Sequence, residues 1–332
     1  MKNKIYIVLL NYKGWKDTIE CLESVFKLEN VNFQILLVDN SPTLESLQKI
    51  ENWASGEKNF EIETQFTDLV YPLIKKPLEY IVVSEEQIKI QYFDHTLVVI
   101  KAVENKGFSA GNNIALNYAL NRDDFQFCWL LNNDTVVEKK SLINQLDYIK
   151  GKAAKTGILG SVLVDYFQPN IIQAIGGALN TKTFLTNHVG EGLNTKNFEQ
   201  KVKNRSIDYV VGASMLVSRE FLKDVGILSE DFFLYFEELD WAYRAKSKSW
   251  EVDWCPNSLV YHKEGKSIGS SKNYKKRSFT AEIESFKSRK IFFEKYFRNR
   301  IHFNFYSILI IMNRVRRFQF RLIPYFIRIL IR

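Results

Sequence analysis

The chain has 332 residues, of which 46% are hydrophobic and 25% charged, and its formal net charge at pH 7 is +8. This length and composition exclude a disordered chain and allow one large domain or two smaller ones. The excess charge is confined to residues 297–332, which contain eight arginines and no Lys, Asp or Glu. The remainder of the chain is formally neutral, so the sequence does not favour a nucleic-acid-binding protein.

Cys21, Cys128 and Cys255 are far apart, odd in number and not part of a CxxC motif. This pattern indicates neither a disulfide framework nor a zinc site, and it favours a reducing cytoplasm. The first apolar segment has only about six residues, too few for a signal-peptide core. No uncharged run reaches the roughly 18 residues of a membrane span, so we expect neither feature.

The N-terminal part has two β-loop-α units. Residues 4–10 and 33–38 are apolar runs of strand length, and each is followed by polar residues and then by apolar residues at helical spacing. Asp39 ends the second strand, where an acid is well placed to accept a hydrogen bond from the base or ribose of a nucleotide. No GxGxxG motif follows the first strand, which disfavours a dinucleotide-binding oxidoreductase.

Residues 53–94 contain no recognisable catalytic motif, and we interpret them as an insertion. Within them, residues 80–83 and 88–92 have the composition of two strands that could pair as a hairpin around residues 84–86. We expect this segment to take no part in the chemistry.

A glycine-containing loop at 104–113 connects the predicted strand 97–100 to a helix. Gly107 and Gly111 allow close backbone approach to a ligand, and Ser109 can cap the helix. The N-terminus of such a helix suits a diphosphate. An ordinary loop and N-cap would explain the same residues.

The apolar run at 125–131 is followed abruptly by Asn132, Asn133 and Asp134. In an α/β protein the carboxyl end of a buried strand opens into the crevice where ligands bind, so we interpret this segment as the floor of an active site. The alternative is a simple turn rich in Asn and Asp.

The second half of the chain is predicted to contain a helix at 141–150 and strands at 157–164 and 208–217. Glu237, Glu238 and Asp240 follow an aromatic run, and such crowding of acids often marks acid-base or metal chemistry. An acidic first turn of a helix is the alternative. His262 lies at the end of a further predicted strand, where a structural role is also common.

Seven segments, in this order, resemble the family 2 glycosyltransferases with the GT-A fold, and especially their bacterial rhamnosyltransferase-like branch. They are LLNYKGW at 9–15, LLVDNS at 36–41, ENKGFSAGNN at 104–113, LLNNDTVV at 130–137, VGASMLVSRE at 211–220, FFLYFEELDWAYR at 232–244 and VYHKEGKS at 260–267. The resemblance implies an α/β fold with a Rossmann-like, mostly parallel central sheet flanked by helices. It also implies transfer of a sugar from a nucleoside diphosphate donor with inversion at the anomeric carbon.

By this resemblance, Asp134 is the metal-binding acid of the DxD motif, which here begins with Asn132 instead of an acid. Mg²⁺ or Mn²⁺ would offset the charge of the leaving diphosphate. His262 matches a histidine near the metal. Glu238 matches the catalytic base, which is usually Asp, and Asp240 is the alternative base.

The resemblance places the other polar residues around the donor. Asp39 would bind the base or ribose of a dTDP or UDP sugar, with Asn11 and Tyr12 beside the pyrimidine. The ribose and sugar side would be lined by Asn105, Gly107 and Asn112.

The C-terminal tail at 271–332 is basic, aromatic and helical in pattern. On one helix through 314–332, most arginines form a narrow stripe beside a broad apolar face, with a kink at Pro324. No acid within residues 297–332 balances the arginines, so we predict attachment to an anionic membrane surface. The alternative is a helix packed on the domain or on a second copy in a homodimer.

Together these observations predict a GT-A domain at 1–270, with a nucleotide-sugar-binding half at 1–150 and an acceptor-binding half at 151–270. The predicted enzyme is cytoplasmic, lies on the inner face of the cell membrane and extends a lipid-linked or cell-surface glycan. The changes at Asn132 and Glu238 leave a non-catalytic, membrane-attached nucleotide-sugar-binding module as the alternative.

Overall fold

The computed structural model describes residues 4–58, 60–152, 155–202, 205–264 and 278–331. The strands are β1 (Lys4–Asn11), β2 (Phe33–Asp39), β3 (Tyr80–Ser84), β4 (Leu97–Lys101), β5 (Phe125–Asn132), β6 (Thr135–Val137), β7 (Thr156–Asp165), β8 (Ile172–Ala174), β9 (Gly176–Asn180), β10 (Leu185–Val189), β11 (Ser214–Ser218) and β12 (Glu251–His262). The helices are α1 (Trp15–Val25), α2 (Glu45–Ser55), α3 (Thr67–Val70), α4 (Glu85–Ile90), α5 (Phe108–Arg122), α6 (Ser141–Lys150), α7 (Phe198–Val202), α8 (Arg219–Val225), α9 (Glu237–Ser247), α10 (Phe279–Tyr296), α11 (Arg300–Arg316) and α12 (Ile323–Ile331).

Ten of the strands form one central sheet in the order β3-β4-β2-β1-β5-β11-β7-β12-β6, with β8 paired to β7. Strands β1 to β5 pair in parallel, whereas β11 lies antiparallel between β5 and β7. Both predicted halves of the chain therefore contribute to one sheet. The predicted fold class, a mostly parallel sheet flanked by helices, is confirmed.

Strand β1 shows why the apolar runs form buried strands. Ile5, Ile7 and Leu9 belong to the core on one face of the sheet, and Tyr6 and Val8 to the core on the other face. Helices cover both faces, so successive side chains of a strand are all buried and the sequence reads as a continuous apolar run.

The register of the sheet brings the polar strand ends together. Asn11 at the end of β1 is paired with Asp39 at the end of β2, and Leu10 is paired with Asn132 of β5. The predicted site segments that end β1, β2 and β5 consequently lie side by side at the carboxyl ends of these strands.

The predicted hairpin within residues 80–92 is wrong. Tyr80–Ser84 pairs in parallel with β4 at the edge of the central sheet, and residues 85–90 form a helix. The reason is a capping box, in which Ser84 and Gln87 each accept a hydrogen bond from the other's backbone N–H.

The rest of the predicted insertion is anchored to α1 by the buried carboxylate of Glu23. This carboxylate accepts hydrogen bonds from Trp53 Nε1 at 2.9 Å, the Ile74 backbone N–H at 2.8 Å and Lys76 Nζ at 2.9 Å. Hydrogen bonds to an ionised carboxylate are stronger than neutral ones, so these three contacts hold the segment against α1.

Two further boundaries differ from the predictions. Helix α5 begins at Phe108 after Gly107, so Ser109 lies inside the first turn and does not cap it. Strand β11 starts only at Ser214, because the chain turns at 212–213.

The C-terminal segment forms three packed helices instead of a single kinked helix through 314–332. The chain leaves α11 through Phe318, whose φ is +57°, and α12 begins after a short 3-10 turn with Pro324 in its first turn. Arg314 donates to Glu282 of α10 at 2.7 Å, so the prediction that no acid balances the arginines is wrong for this residue. Residues 265–277 and Arg332 lie outside the described part of the chain.

Candidate active site

A cavity of about 610 Å³ opens at the carboxyl ends of β1 and β5. Its wall combines residues from both halves of the chain and from α10. The lining includes Leu10, Tyr12, Asn40, Asn105, Gly107, Phe108, Asn132, Asn133, Asp134, Thr186, His188, Tyr209, Gly212, Phe233, Tyr235, Glu237, Glu238, His262, Ser278, Thr280 and Ser285.

Asn11 organises the floor of the cavity from behind. Its fully buried side chain accepts hydrogen bonds from Gly14 N at 3.0 Å, Thr18 Oγ1 at 3.1 Å and Asn133 Nδ2 at 3.2 Å. Its Nδ2 donates to Asp39 Oδ1 at 3.0 Å. With its amide already used, Asn11 positions its neighbours, and Asn133 belongs to a network that the sequence analysis missed.

Asp39 is completely buried at the end of β2 and does not line the cavity itself. Its Oδ1 accepts from Asn11 and from the Ser41 backbone N–H at 3.0 Å. Its Oδ2 has no hydrogen-bond partner among the described residues. A buried carboxylate oxygen without a donor is costly, so Oδ2 has unused capacity to accept a hydrogen bond, although the atom is covered in this structure.

The loop before α5 is pressed against the loop before α9. Gly107 has φ +96°, and a Cβ atom there would lie 2.2 Å from the carbonyl oxygen of Phe233. The Phe108 backbone N–H donates to that same oxygen at 2.8 Å. Only glycine satisfies both the backbone angle and the close approach.

The two asparagines predicted around this loop have different environments. Asn105 lines the cavity, and its Oδ1 accepts from the Gly107 backbone N–H at 3.0 Å. Asn112 is buried within α5, donates to the Phe108 carbonyl at 2.9 Å and is not part of the lining. Asn112 therefore supports the loop from behind.

Asp134 and His262 meet at the cavity floor, where His262 Nε2 lies 3.3 Å from Asp134 Oδ1. Burial disfavours the charged forms of both residues, but the attraction between them prevails, so the pKa of Asp134 is lowered and the pKa of His262 is raised. Asn132 Nδ2 lies 3.4 Å from the same imidazole nitrogen. These three predicted residues are brought together.

The orientation of His262 is set by Gln173, which the sequence analysis missed. Gln173 Nε2 donates to the carboxylate of Glu264 at 3.1 Å, because a carboxylate only accepts. The amide oxygen of Gln173 consequently faces His262 Nδ1 at 2.7 Å, and this nitrogen must donate. A Gln between two apolar residues, Ile172 and Ala174, is a weak sequence signal for such a positioning role.

A cation bound between the two side chains would replace the proton of their ion pair and would take the lone pair of Nε2 of neutral His262, while Nδ1 keeps its proton for Gln173. One imidazole nitrogen and one carboxylate oxygen are ligands that Mn²⁺ accepts, and such ions usually keep several water or phosphate oxygens. Within the described residues, no group of three or more His, Cys, Asp or Glu side chains forms a metal site. The donor set therefore fits a cation that takes its other ligands from substrate and solvent.

Glu237 and Glu238 begin α9 and both line the cavity. The two preceding residues, Tyr235 and Phe236, have φ values of +68° and +71°, which is a strained backbone for side chains other than glycine. Packing of the Phe236 ring on Phe292, with ring centroids 5.5 Å apart, helps to hold this turn. The turn brings both carboxyl groups to the cavity.

Burial raises the pKa of both carboxyl groups. For Glu238 the pKa rises to about 7, although backbone N–H groups of Glu238 itself and of Gly212 stabilise the charged form. For Glu237, burial and the neighbouring charge of Glu238 together raise the pKa well above its ordinary value. One Oε2 atom of each residue has no hydrogen-bond partner among the described residues. At neutral pH, Glu238 is the carboxyl group that can exchange a proton.

Asp240, the alternative base, does not line the cavity. Its fully buried carboxylate receives hydrogen bonds from Arg244 Nε at 2.8 Å and Tyr296 OH at 2.7 Å, and it lies 2.7 Å from Lys295 Nζ. Oδ2 is paired with Arg244 within α9, and Oδ1 is paired with Tyr296 and Lys295 of α10. These contacts give Asp240 a structural role within α9 and toward α10, and its role as the alternative base stays a prediction.

A family model described as "Glycosyltransferase like family 2" matches residues 84–281, which is more than half of the chain. The low-salt glycan biosynthesis hexosyltransferase Agl10 of Haloferax volcanii is 25% identical over 205 residues, which cover 59% of this chain and 62% of that protein. The chain thus spans less than two thirds of the relative's length.

Two solved structures share the fold at low sequence identity. One is the mannosyltransferase PcManGT from Pyrobaculum calidifontis in complex with GDP-Man and Mn²⁺, with a TM-score of 0.50, 12% identity, and coverage of 88% of this chain and 63% of that chain. The other is GalNAc-T7 with UDP, GalNAc and Mn²⁺, with a TM-score of 0.55, 15% identity, and coverage of 88% and 48%. The fold matches these GT-A glycosyltransferases, and the chain belongs to the glycosyltransferase family 2-like proteins.

Proposed function

We propose that this protein is an inverting glycosyltransferase that transfers a hexose from a nucleoside diphosphate sugar to an acceptor hydroxyl. The observation that carries the proposal is that Asp134 with His262, and Glu238, line one cavity. The first pair suits a cation and a diphosphate, and the second group suits a proton acceptor. Family membership supports the same reaction class.

In the proposed reaction, the bond between the anomeric carbon and the diphosphate oxygen breaks as the acceptor oxygen bonds to that carbon. The carboxylate of Glu238 takes the proton from the acceptor hydroxyl, and inversion follows from attack on the face opposite the leaving group. A carboxylate with a pKa near 7 is a stronger base than an ordinary one, and about half of it is ionised at pH 7.

Asp134 and His262 would hold the divalent cation, with Asn132 beside them. The cation supplies Lewis-acid stabilisation of the charge that develops on the diphosphate. Mn²⁺ is the first candidate because PcManGT and GalNAc-T7 were both solved with it, and Mg²⁺ is the second.

The buried Oδ2 of Asp39 is our candidate for recognition of the donor base or ribose, since it has no hydrogen-bond partner among the described residues, and Tyr12 lines the cavity. Because a pyrimidine N3–H would satisfy this oxygen, we propose a dTDP or UDP sugar. Asn105 and Gly107 then lie on the ribose and sugar side of the donor.

The proposed acceptor is a lipid-linked or cell-surface glycan. The Haloferax relative is a hexosyltransferase of low-salt glycan biosynthesis, which is compatible with such an acceptor. We also propose that the reaction takes place on the cytoplasmic face of the cell membrane. Cys21, Cys128 and Cys255 are buried and unpaired, and a reducing compartment is compatible with this arrangement.

A thermal-shift panel of nucleoside diphosphates and their sugars, with and without Mn²⁺, tests donor binding, since a ligand that binds the folded state raises Tm. Donor hydrolysis or transfer is then measured for the wild type, Asp134→Ala and Glu238→Gln. The exposed carboxylate of Glu86 provides a matched control as Glu86→Gln. We expect turnover to be lost in Asp134→Ala and Glu238→Gln and to be kept in Glu86→Gln.

Two results would contradict the proposal. Full activity of both cavity variants would refute the assigned residues. Selective nucleotide-sugar binding without turnover by the wild type would favour the non-catalytic binding module.

A further inference from the structure

The helix α11 carries an exposed apolar stripe. Its members recur every three or four residues, and between 46% and 85% of each side chain is exposed. They are Ile301, Phe305, Ile308, Met312 and Val315. At 100° per residue these five positions fall within an arc of about 80°, so they form one continuous strip along the helix.

The opposite face of α11 is already used for packing. Phe303 is buried and stacks on Phe293 of α10, with centroids 4.3 Å apart. Ser307 Oγ accepts a hydrogen bond from Arg289 of α10 at 2.7 Å. Because these contacts fix the rotation of α11, the apolar stripe points away from the protein.

Further apolar side chains are exposed after α11, namely Phe318, Phe320, Tyr325, Ile327 and Ile331. They do not all lie on one side of α12, so we reserve the name apolar face for the stripe on α11. Contiguous exposure of this kind is rare on a monomeric protein unless the surface binds something.

The segment that carries the apolar face contributes charges of one sign only, although Glu294 and Glu282 of α10 pair with Arg300 and Arg314. Residues 297–331 contain seven arginines and no Lys, Asp or Glu. Arg314 is occupied by Glu282, whereas Arg316, Arg321 and Arg328 are exposed. Association of two copies through this face would bring the same cations together without acids from the same segment, and that costs free energy.

We infer that the apolar face docks onto an anionic lipid surface, with α11 and α12 lying in the plane of the bilayer interface. No described helix is long and apolar enough to cross a membrane. A helix of 17 residues such as α11 extends for about 25 Å and buries its stripe among the acyl chains, while flanking arginines contact lipid phosphates.

The docking surface is joined to the cavity through α10. Ser278, Thr280 and Ser285, at and near the N-terminus of α10, line the cavity, and the same helix packs against α11 and α12. Provided that the proposed transferase function is correct, membrane docking would keep the cavity near an acceptor anchored in lipid. Docking itself does not depend on that function.

The test is flotation of the full chain with vesicles of phosphatidylcholine alone or with about 30% phosphatidylglycerol. One variant combines Phe305→Gln, Ile308→Gln and Met312→Gln, and a second combines Arg316→Gln, Arg321→Gln and Arg328→Gln. The matched control removes exposed apolar groups elsewhere by Ile90→Gln and Val103→Gln. Circular dichroism and Tm check that each variant folds.

We expect the wild type and the control to bind anionic vesicles, and the apolar variant to bind at least tenfold less. The arginine variant should lose on the order of 100-fold in partitioning to anionic vesicles, since each surface arginine contributes about fivefold. Absence of wild-type binding, or unchanged binding by a folded apolar variant, overturns the inference. A dimer in solution that the apolar variant abolishes, without vesicle binding by the wild type, would assign the face to a second copy.

Discussion

His262 Nδ1 lies 2.7 Å from Gln173 Oε1, and this contact decides which imidazole nitrogen faces Asp134. Gln173 is itself oriented by the carboxylate of Glu264, so the chain of hydrogen bonds has one consistent direction. Hydrogen-bond partners of this kind commonly control how a ligating histidine is presented.

Gln173→Leu should therefore weaken Mn²⁺ binding by about 10- to 100-fold, because His262 loses the acceptor that fixes its ring and its tautomer. The measurement is a Mn²⁺ titration followed by electron paramagnetic resonance, in parallel with Tm. The control is Gln145→Leu, since Gln145 is equally buried but neither amide atom has a partner among the described residues. Unchanged Mn²⁺ affinity in folded Gln173→Leu would show that Gln173 is merely structural.

The pH dependence of the proposed reaction should follow Glu238. Because the base must be ionised, kcat/KM is expected to rise with pH with a midpoint near 7, the value to which burial raises the pKa of this carboxyl. Glu238→Gln should lose the ionisation and at least 10²-fold in rate, while donor binding is kept. A profile flat between pH 5.5 and 8.5 would argue against Glu238 as the base.

Glu237 should make the protein less stable at higher pH. Its pKa in the folded chain lies well above the ordinary value of 4.5, so the folded state holds a proton that the unfolded state has lost. The free energy of unfolding consequently falls as the pH rises from about 4.5 toward the folded-state pKa. Glu237→Gln removes this dependence, and its gain in Tm should be larger at pH 8 than at pH 5. An equal gain at both pH values would contradict the prediction.

Asp240→Ala should reduce stability and leave the chemistry of the folded protein largely intact. The substitution leaves Arg244 and Lys295 without their shared buried carboxylate, and breaking a buried pair typically costs about 3–5 kcal/mol. Lys295 is a third exposed, so the lower end of that range applies. Chemical denaturation measures the loss. A large loss of kcat at a temperature where the variant is fully folded would instead favour Asp240 as the base.

Gly107→Ala should open the contact between the loops before α5 and α9. The new Cβ atom would overlap the Phe233 carbonyl at 2.2 Å, and the backbone angle is already unfavourable for alanine. Gly192→Ala is the control, because Gly192 has a similar φ of +78° but no atom within 4 Å of the added Cβ. Gly107→Ala should lower Tm by several degrees more than the control, and donor affinity should fall with it.

The sequence by itself predicted the main features of the sheet and the family. Apolar runs such as that of β5 are long enough for strands, and the polar residues at their ends mark the edge where parallel strands present ligands. Both the fold class and the glycosyltransferase family assignment are confirmed. The roles of Asp39, Asp134 and Glu238 stay predictions, although Asp134 and Glu238 line one cavity.

Only the tertiary structure separated Glu238 from Asp240. Two positions apart on a helix, they point about 200° away from each other, so one faces the cavity and the other faces α10. The sequence shows only that both are acids in one helical turn. The contacts of each, and hence its pKa and its access to a substrate, depend on which elements pack against the helix.

The contact between Gln173 and His262 and the break between α11 and α12 both depend on long-range packing. Gln173 is 89 residues from His262 along the chain, so no local pattern relates the two. The apolar and arginine positions of the tail were visible in the sequence, but which of them are buried depends on contacts with α10. Local composition and periodicity determined the elements, whereas long-range packing decided which side chains meet and which stay exposed.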